Sequence, residues 1–374
     1  MEFRDLKAQY KALQPQIDAA LTGVAASGGY ILGKTVAALE ERLAEYVGTK
    51  HCISCANGTD ALTLALKVWG IGPGDAVFVP DFTFFASAEV VAAEGATPVF
   101  VDVCKHHFWM QPTDLEAAIL ETLAQGQLRP RAIIAVDLFG LPANYPELLP
   151  IAKKYGLKLL EDGAQGFGGS IGGKRACCFG DIATTSFFPA KPLGCYGDGG
   201  ALFTDNDDWA ALADSLRVHG KGRDKYDNVR IGLNSRLDAL QAAILQVKLN
   251  AFERFELDAV NAAAARYDHR LGRCVSTPHI PGGFVSSRAQ YTIRLKSREQ
   301  RDALQASLKA EGIPSMVYYP TPMSALTAFA GLKNRDCPNA RELAQTVLSL
   351  PVHPYLTAAE NDRVCDAVLR FLNA

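Results

Sequence analysis

Apolar and polar positions alternate between two patterns along the first 230 residues. Residues 35–47 carry apolar side chains at helical spacing, whereas residues 131–138 are apolar except at their ends, which is typical of a strand buried on both faces. The same patterns predict further strands at residues 52–56, 76–80, 98–103 and 157–160, and helices at residues 60–69, 86–94 and 148–155. Strands separated by helices need crossover connections, and this predicts an α/β fold with a mostly parallel central sheet.

The pattern changes after residue 231. Residues 235–255 predict one long helix, at whose start Ser235 and Asp238 have the spacing of a capping box. Further on, a short strand is predicted at residues 291–295 and an amphipathic helix at residues 299–311. We therefore predict two domains, a larger α/β domain at residues 1–250 and a smaller C-terminal α+β domain at residues 251–374.

Composition and charge exclude several classes of protein. The 374 residues include 38 basic and 40 acidic side chains, and this balance offers no basic surface for nucleic acid. Acidic residues near the start argue against a signal peptide, and no apolar stretch approaches the roughly 20 residues that cross a bilayer. Nine cysteines, an odd number, favour reduced thiols in the cytoplasm. Cys52 and Cys55 lack a second pair at zinc-ligand spacing, so we expect no metal.

In an open parallel sheet, ligands collect beyond the carboxyl ends of the strands, so the residues at those ends are the candidates for chemistry. Gly58 and Thr59 lie between the strand at 52–56 and the next helix. Free backbone N–H groups at a helix start can bind a phosphate. Simple helix capping by the neighbouring polar residues is the alternative interpretation.

Two carboxyl residues, Glu161 and Asp162, directly follow the strand predicted at residues 157–160. Burying a carboxylate is unfavourable unless it is paired, so Asp162 is a candidate to hold a cationic ring nitrogen or a metal. Gln165 adds a hydrogen-bonding group three residues later. The alternative is a helix cap beside a solvated Glu161.

Lys191 has the most informative surroundings, because it lies between Pro189 and Pro192 and precedes a glycine-rich loop. Most lysines are solvated at the surface, but apolar and small neighbours here should bury the amine and lower its pKa. Such an amine suits a nucleophile that forms Schiff bases. Ser186, five residues earlier, offers a hydroxyl for a phosphate.

Asn234 and Arg236 precede the long predicted helix. Arg236 could bind an anionic substrate through two parallel hydrogen bonds. A helix N-terminus with one solvated arginine explains the same segment equally well.

One cofactor accounts for all four segments together. Pyridoxal phosphate needs a lysine for its aldehyde, a carboxylate for its ring nitrogen, a phosphate cradle and a group that covers the ring. Lys191, Asp162 and the two phosphate segments supply the first three. Phe84 or Phe85, after the strand at 76–80, could cover the ring.

These segments, in this order and spacing, resemble the DegT/DnrJ/EryC/StrS family of sugar aminotransferases, which are fold type I pyridoxal phosphate enzymes. The motifs that carry the resemblance are Ala56-Asn-Gly-Thr-Asp-Ala-Leu62, Glu161-Asp-Gly-Ala-Gln165, Ser186-Phe-Phe-Pro-Ala-Lys191 and Asn234-Ser-Arg-Leu-Asp238. Relatives that dehydrate sugars have histidine in place of Lys191, so the resemblance implies a transaminase.

The resemblance also implies residue roles. Lys191 would bind the cofactor aldehyde and shuttle a proton, and Asp162 would pair with the ring nitrogen, with Gln165 close to the ring hydroxyl. Gly58, Thr59 and Ser186 would bind the phosphate, and Phe84 would stack on the ring. Asn234 would reach the phosphate of the neighbouring subunit, which implies a homodimer with shared active sites.

Within the family, the sequences of several segments resemble those of one branch. The enzymes of that branch aminate C3 of UDP-2-acetamido-2-deoxy-3-oxo-glucuronate with L-glutamate as donor, forming 2-oxoglutarate. This implies a role in surface polysaccharide (O-antigen) synthesis. Arg236, Tyr318 and Tyr319 are the expected substrate contacts, although Tyr318 stands where these relatives usually have histidine. The alternatives are C3 or C4 of another UDP- or dTDP-linked keto-deoxyhexose and, from another class, a non-catalytic cofactor-binding regulator.

Overall fold

A computed structural model describes residues 1–224, 226–333 and 335–373. Its helices are α1 (Leu6–Ser27), α2 (Lys34–Val47), α3 (Gly58–Val68), α4 (Ala86–Ala93), α5 (Pro112–Gln125), α6 (Tyr145–Tyr155), α7 (Asp207–Leu216), α8 (Ala239–Ala251), α9 (Leu257–Leu271), α10 (Arg298–Ala310), α11 (Pro338–Thr346) and α12 (Ala358–Asn373). Its strands are β1 (His51–Cys55), β2 (Asp75–Pro80), β3 (Thr97–Val101), β4 (Arg129–Val136), β5 (Lys158–Asp162), β6 (Ser170–Ile171), β7 (Lys174–Arg175), β8 (Ile182–Ser186), β9 (Gly200–Thr204), β10 (Phe284–Val285), β11 (Tyr291–Arg294) and β12 (Val347–Leu350).

The central sheet has seven strands in the order β1-β9-β8-β5-β4-β2-β3. Strands β3, β2, β4, β5 and β8 run parallel, and β9 is antiparallel to both of its neighbours, β8 and β1. This confirms the predicted α/β fold with a mostly parallel sheet. The carboxyl ends of β5 and β8 lie side by side, with Asp162 opposite Thr184 in the register.

Helices cover both faces of this sheet, as the apolar strands require. Every residue of β2 is buried, and its side chains alternate between two apolar clusters. Val77 and Val79 pack with residues of α3 and α4, whereas Phe78 packs on the opposite face with residues of α5 and α6. The sheet is therefore a rigid, buried platform whose edge at the carboxyl ends is free to hold a site.

In the C-terminal part, β11 and β12 form a separate two-stranded antiparallel sheet. Side chains of this sheet, α9, α10 and α12 make their own apolar cluster around Tyr267 and Tyr291. The division at residue 250 remains a prediction.

The helix predicted at residues 235–255 differs from the observed one at both ends. Helix α8 begins at Ala239, and a π-helical turn at Phe252–Glu256 joins it directly to α9. The predicted capping box is wrong, because the Asp238 side chain makes no capping hydrogen bond. The Ser235 hydroxyl instead accepts a hydrogen bond of 3.0 Å from the Ala56 amide.

Candidate active site

A cavity of about 650 Å³ lies at the carboxyl ends of β4, β5 and β8. Val136, Asp162 and Ser186, the last residues of these strands, all line it. Of the residues that the sequence singled out, it brings together Gly58, Thr59, Phe84, Asp162, Gln165, Ser186, Lys191, Tyr318 and Tyr319. Residues separated by up to 261 positions in the chain therefore share one chamber, at the place where a parallel sheet collects ligands.

Lys191 lies in the loop that follows β8, where its amide donates a 2.8 Å hydrogen bond to the Phe188 carbonyl. Burial lowers the pKa of its amine, the charge of Asp162 acts in the opposite direction, and that of Arg4 lowers the pKa further. The expected lowering is thus present, and its main cause is the loss of solvation. A lysine in this setting is a better nucleophile than one in water.

Asp162 is the last residue of β5, so it belongs to the strand rather than following it as the sequence pattern predicted. Its carboxylate accepts hydrogen bonds from the Ser87 hydroxyl at 2.7 Å and from the Ala164 amide at 3.2 Å. Burial raises the pKa of Asp162, whereas Ser87, the charge of Lys191 and Ala164 act in the opposite direction. A cation placed in the cavity against this carboxylate would compensate for the lost solvation.

Gln165 is fixed through both ends of its amide. Its Oε1 accepts a 2.7 Å hydrogen bond from the Phe139 amide, and its Nε2 donates to the Tyr319 hydroxyl at 3.1 Å. Its own carbonyl accepts a hydrogen bond of 2.6 Å from the Ser287 hydroxyl. The side chain is 3% exposed, so its orientation toward the cavity is set by protein contacts.

The start of α3 closes one end of the cavity. Asn57 caps the helix, since its side chain accepts a 2.8 Å hydrogen bond from the Asp60 amide. The amides of Gly58 and Thr59 precede the first intrahelical hydrogen bond, from the Ala61 amide to the Asn57 carbonyl, and so are available to a ligand. A Cβ atom on Gly58 would lie 2.7 Å from Cβ of Ser186.

Aromatic side chains border the opening of the cavity. Phe84 is 51% exposed, and its ring centroid lies 6.0 Å from that of Tyr319. Tyr318 lies beside Tyr319, with ring centroids 5.6 Å apart, and also contacts Phe3 at 6.2 Å. These rings provide a wide apolar surface for a flat ligand.

Asn234 and Arg236 do not line this cavity. Asn234 is exposed and Arg236 is half-buried, in the segment that precedes α8. Within a single chain, the predicted substrate arginine and the predicted phosphate ligand therefore stand apart from the other candidates.

Several residues that support the site had no local signal in the sequence. Ser87 contacts a residue 75 positions away, and Arg4 donates a hydrogen bond to the Lys191 carbonyl. Glu161 is fully buried, so its interpretation as a solvated side chain was wrong. Its carboxylate accepts hydrogen bonds from the amides of Cys177 and Phe179, at 2.5 and 2.7 Å.

The lining of the chamber fits pyridoxal phosphate. It places one amine, one buried carboxylate and a cradle of free amides around a common space. The cradle is open only because residue 58 is glycine, since a Cβ there would collide with Ser186. These donors match the aldehyde, ring nitrogen and phosphate of the cofactor. In the described part of the chain, no group of three or more His, Cys, Asp or Glu side chains is arranged to hold a metal ion.

Several known proteins that are similar in sequence and structure are aminotransferases. The model of the DegT/DnrJ/EryC1/StrS aminotransferase family matches residues 11–369. The chain is 47% identical to the UDP-2-acetamido-2-deoxy-3-oxo-D-glucuronate aminotransferase of Pseudomonas aeruginosa, over 98% of this chain and 99% of the relative. A crystal structure of a DegT DnrJ EryC1 StrS aminotransferase from Brucella abortus is 48% identical, with a TM-score of 0.97 and full coverage of both chains. The structure of ntda from Bacillus subtilis with bound cofactor PMP has a TM-score of 0.87 and 28% identity, covering 97% of this chain and 82% of that one.

The fold, the site and the relatives together identify a fold type I, pyridoxal phosphate-dependent aminotransferase that acts on nucleotide sugars. The chain belongs to the DegT/DnrJ/EryC1/StrS aminotransferase family. None of the helices in the described residues combines the length and apolar character that a membrane crossing requires.

Proposed function

We propose that the enzyme transfers the amino group of L-glutamate to C3 of UDP-2-acetamido-2-deoxy-3-oxo-glucuronate, a step toward an O-antigen or related surface polysaccharide. The observation that carries this proposal is the 47% identity, over nearly the whole of both chains, to a Pseudomonas aeruginosa enzyme named for that substrate. The arrangement of amine and carboxylate in one chamber supports the transaminase chemistry.

In this proposal the bound cofactor supplies an aldehyde and a ring that accepts electrons. Lys191 would bind the aldehyde, and its free amine would hold and move a proton at the reacting carbon. Burial favours the neutral form of its amine, and this form is the one that can accept a proton. Asp162, which is buried, would pair with the ring nitrogen and favour its protonated form.

The other cavity residues orient the cofactor. Gly58 and Thr59 donate backbone N–H groups to its phosphate at the positive end of α3, and Ser186 adds a hydroxyl. Gln165 lies on the side of the ring hydroxyl, and Phe84 covers the ring face. Each role rests on the place of the residue in the chamber and on the family resemblance.

We propose a homodimer in which Asn234 completes the phosphate site of the other subunit. Ile231, three residues before Asn234, is 90% exposed, and Tyr30 and Ile31 are each 49% exposed. Tyr30 and Ile31 lie beside the start of α8, where the Ala239 amide donates to the Tyr30 carbonyl at 2.8 Å. An exposed apolar surface of this kind is typical of an interface.

Arg236 lies in the same segment and would reach the partner's cavity to bind the sugar carboxylate. We expect Arg236→Ala to raise the Michaelis constant much more for a uronate than for a neutral hexose. Equal losses with both sugars would show that Arg236 does not recognise the carboxylate.

The tyrosine at position 318 favours an alternative substrate. It lines the cavity beside Tyr319, at a position where the resembling enzymes usually have histidine. Both tyrosines are proposed sugar contacts, so a tyrosine in place of the histidine favours amination at C3 or C4 of another UDP- or dTDP-linked keto-deoxyhexose.

The nine cysteines are unpaired, which favours a reducing compartment and a cytoplasmic site of action.

The test is mass spectrometry of the products formed from a panel of UDP- and dTDP-linked keto-sugars with L-glutamate. We expect amination of the UDP-linked 3-oxo-uronate and formation of 2-oxoglutarate. Preference for a deoxyhexose would establish the alternative. Visible absorption of the cofactor-loaded protein separates an enzyme from a regulator. A cofactor band that shifts on addition of glutamate, without conversion to the amine form of the cofactor, would indicate a regulator.

A further inference from the structure

The N-terminal segment is attached to the loop that carries the candidate nucleophile. Nη2 of Arg4 donates hydrogen bonds to the main-chain carbonyls of Lys191, at 2.9 Å, and Pro192, at 3.4 Å. The two partners are consecutive residues of one loop, 187 and 188 positions away in sequence. A single guanidinium therefore fixes the main chain at the lysine itself.

Arg4 is held in an environment that keeps its charge. Burial lowers the pKa of the guanidinium to about 10, and the nearby Glu256 acts in the opposite direction, so Arg4 stays protonated at neutral pH. Glu256 is 1% exposed and accepts hydrogen bonds from Gln9, at 2.9 Å, and from the Tyr355 hydroxyl, at 2.7 Å. The carboxylate behind Arg4 is thus itself fixed.

The same segment also touches the cavity wall. The ring of Phe3 lies 6.2 Å from that of Tyr318, edge to face. Asp5 begins α1 by accepting a 2.8 Å hydrogen bond from the Ala8 amide. Phe3 and Asp5 thus tie the residues on either side of Arg4 to the site and to a helix.

We infer that Arg4 is a positioning residue for Lys191: it clamps the main chain of the lysine and keeps a positive charge close to it. This inference rests on the proposed role of Lys191 as the residue that binds the cofactor. Nothing in it requires Arg4 to touch substrate or cofactor.

Two charged groups shift the pKa of the Lys191 amine in opposite directions. Asp162 raises the pKa of the amine and Arg4 lowers it, in addition to the larger lowering by burial. Lys248, which is also buried, lies near Arg4 and Glu256. Loss of the Arg4 charge should therefore remove one of the two effects that oppose Asp162 and favour the protonated nitrogen at Lys191.

The test is a pH titration of the visible absorption of the full-length, cofactor-loaded protein, because the band of the bound cofactor reports protonation at the linking nitrogen. We expect Arg4→Gln to raise the titration midpoint by about 0.5 to 1 pH unit. Lys7→Gln is the matched control. It removes one positive charge from the same segment, but its side chain is 90% exposed and the midpoint should not move.

Arg4→Lys separates the charge from the clamp. It keeps the positive charge, so the midpoint should stay within about 0.3 units of the wild type, but an ammonium lacks the planar fork of the guanidinium. We therefore expect cofactor to be lost about threefold or more faster on dialysis. This variant also serves if Arg4→Gln fails to fold.

The outcomes distinguish this inference from the proposal on which it rests. A wild-type protein without covalent cofactor at Lys191 would overturn both. A normal wild-type titration, with Arg4→Gln unshifted or with Arg4→Lys as retentive as the wild type, would overturn only the role of Arg4.

Discussion

The hydroxyl of Ser87 donates a 2.7 Å hydrogen bond to Oδ2 of Asp162, and both side chains are buried. Ser87 lies on α4, on the face that packs against the sheet, and its own oxygen is 3.2 Å from the Thr83 hydroxyl. Burial raises the pKa of Asp162, and the Ser87 hydrogen bond acts in the opposite direction. Ser87 therefore keeps the carboxylate available for a cationic partner.

Ser87→Ala should weaken the binding of pyridoxal phosphate and lower kcat by about tenfold, since a hydrogen bond to a buried charge is worth roughly 1.5–3 kcal/mol. Cofactor titration and steady-state kinetics measure both effects. Thr83→Val is the control, because it removes the neighbouring hydroxyl and leaves the Ser87 to Asp162 bond. Equal effects of the two variants would show that the bond to Asp162 has no special role.

Gly58→Ala should close the phosphate cradle. The added Cβ would lie 2.7 Å from Cβ of Ser186, so the end of β8 or the start of α3 must move. We expect cofactor affinity to fall at least about tenfold, with a loss of roughly 1–3 kcal/mol in the free energy of unfolding.

Gly23→Ala is the matched control for this substitution. Gly23 lies in α1, and a Cβ there meets nothing within 4 Å. It should leave cofactor affinity unchanged and stabilise the protein by roughly 0.5–1 kcal/mol, because alanine favours a helix. If Gly58→Ala binds the cofactor as tightly as Gly23→Ala does, the cradle is assigned to the wrong residues.

Two buried carboxyl groups, those of Asp137 and Glu161, lie close together next to the site. Oδ1 of Asp137 accepts hydrogen bonds of 2.8 Å from the Ala143 amide and from the Tyr145 hydroxyl. Burial, and then the charge of Glu161, raise the pKa of Asp137 well above its usual range. Glu161 already accepts two backbone amides, which favour its charged form, so we expect Asp137 to hold the proton of the pair.

Asp137→Asn should therefore be tolerated, because the amide is neutral like the protonated carboxyl but carries no titrating proton. A raised folded-state pKa stabilises the protein fully below about pH 4, the unfolded pKa, and this contribution is lost as pH rises. The free energy of unfolding of the variant minus that of the wild type should thus increase between about pH 4 and pH 8, by about 1.4 kcal/mol for each pH unit over which folded Asp137 keeps a proton that the unfolded chain has lost.

Chemical denaturation across this pH range measures the difference. Asp207→Asn is the control, because the hydrogen bond from His51 lowers the pKa of Asp207, so its difference from the wild type should change only below about pH 4 and stay constant across this range. Its contribution is present above the unfolded pKa and is lost as pH falls. A constant difference for Asp137→Asn across the range would contradict a proton held by Asp137 in the folded protein.

Mixed dimers test the shared active site. Subunits carrying Lys191→Ala are combined with subunits carrying both Asn234→Ala and Arg236→Ala, each inactive or impaired alone. If Asn234 and Arg236 act across the interface, every mixed dimer contains one intact site. Random pairing should then restore about a quarter of wild-type activity per subunit. Failure of a confirmed mixed dimer to regain activity would place both residues in their own subunit's site.

The buried strands and the cavity residues were predictable because their signals are local. A strand buried on both faces is a continuous apolar run, as at β4, and a site at the end of such a strand follows from the fold. Lys191 and Asp162 were found this way. The neighbouring sequence was enough to single out each residue, whereas only the folded structure shows that they line one cavity.

Contacts between distant residues left no such signal. Helix α1 was not predicted, because it contains Pro15 and its few buried side chains pack against α8, more than 200 residues later. The capping box failed for the same reason, since the Ser235 hydroxyl accepts a hydrogen bond from Ala56. Ser87, Arg4 and the Asp137–Glu161 pair likewise become recognisable only when the sheet assembles their neighbours.

The most direct test of the account is the attachment site of the cofactor. The pyridoxal phosphate-loaded protein is reduced with borohydride, digested and analysed by peptide mass spectrometry, with Lys191→Ala in parallel. The account predicts a stable phosphopyridoxyl group on Lys191 of the wild type, and neither label nor turnover in the variant. A label on another lysine, or an active Lys191→Ala protein, would contradict it.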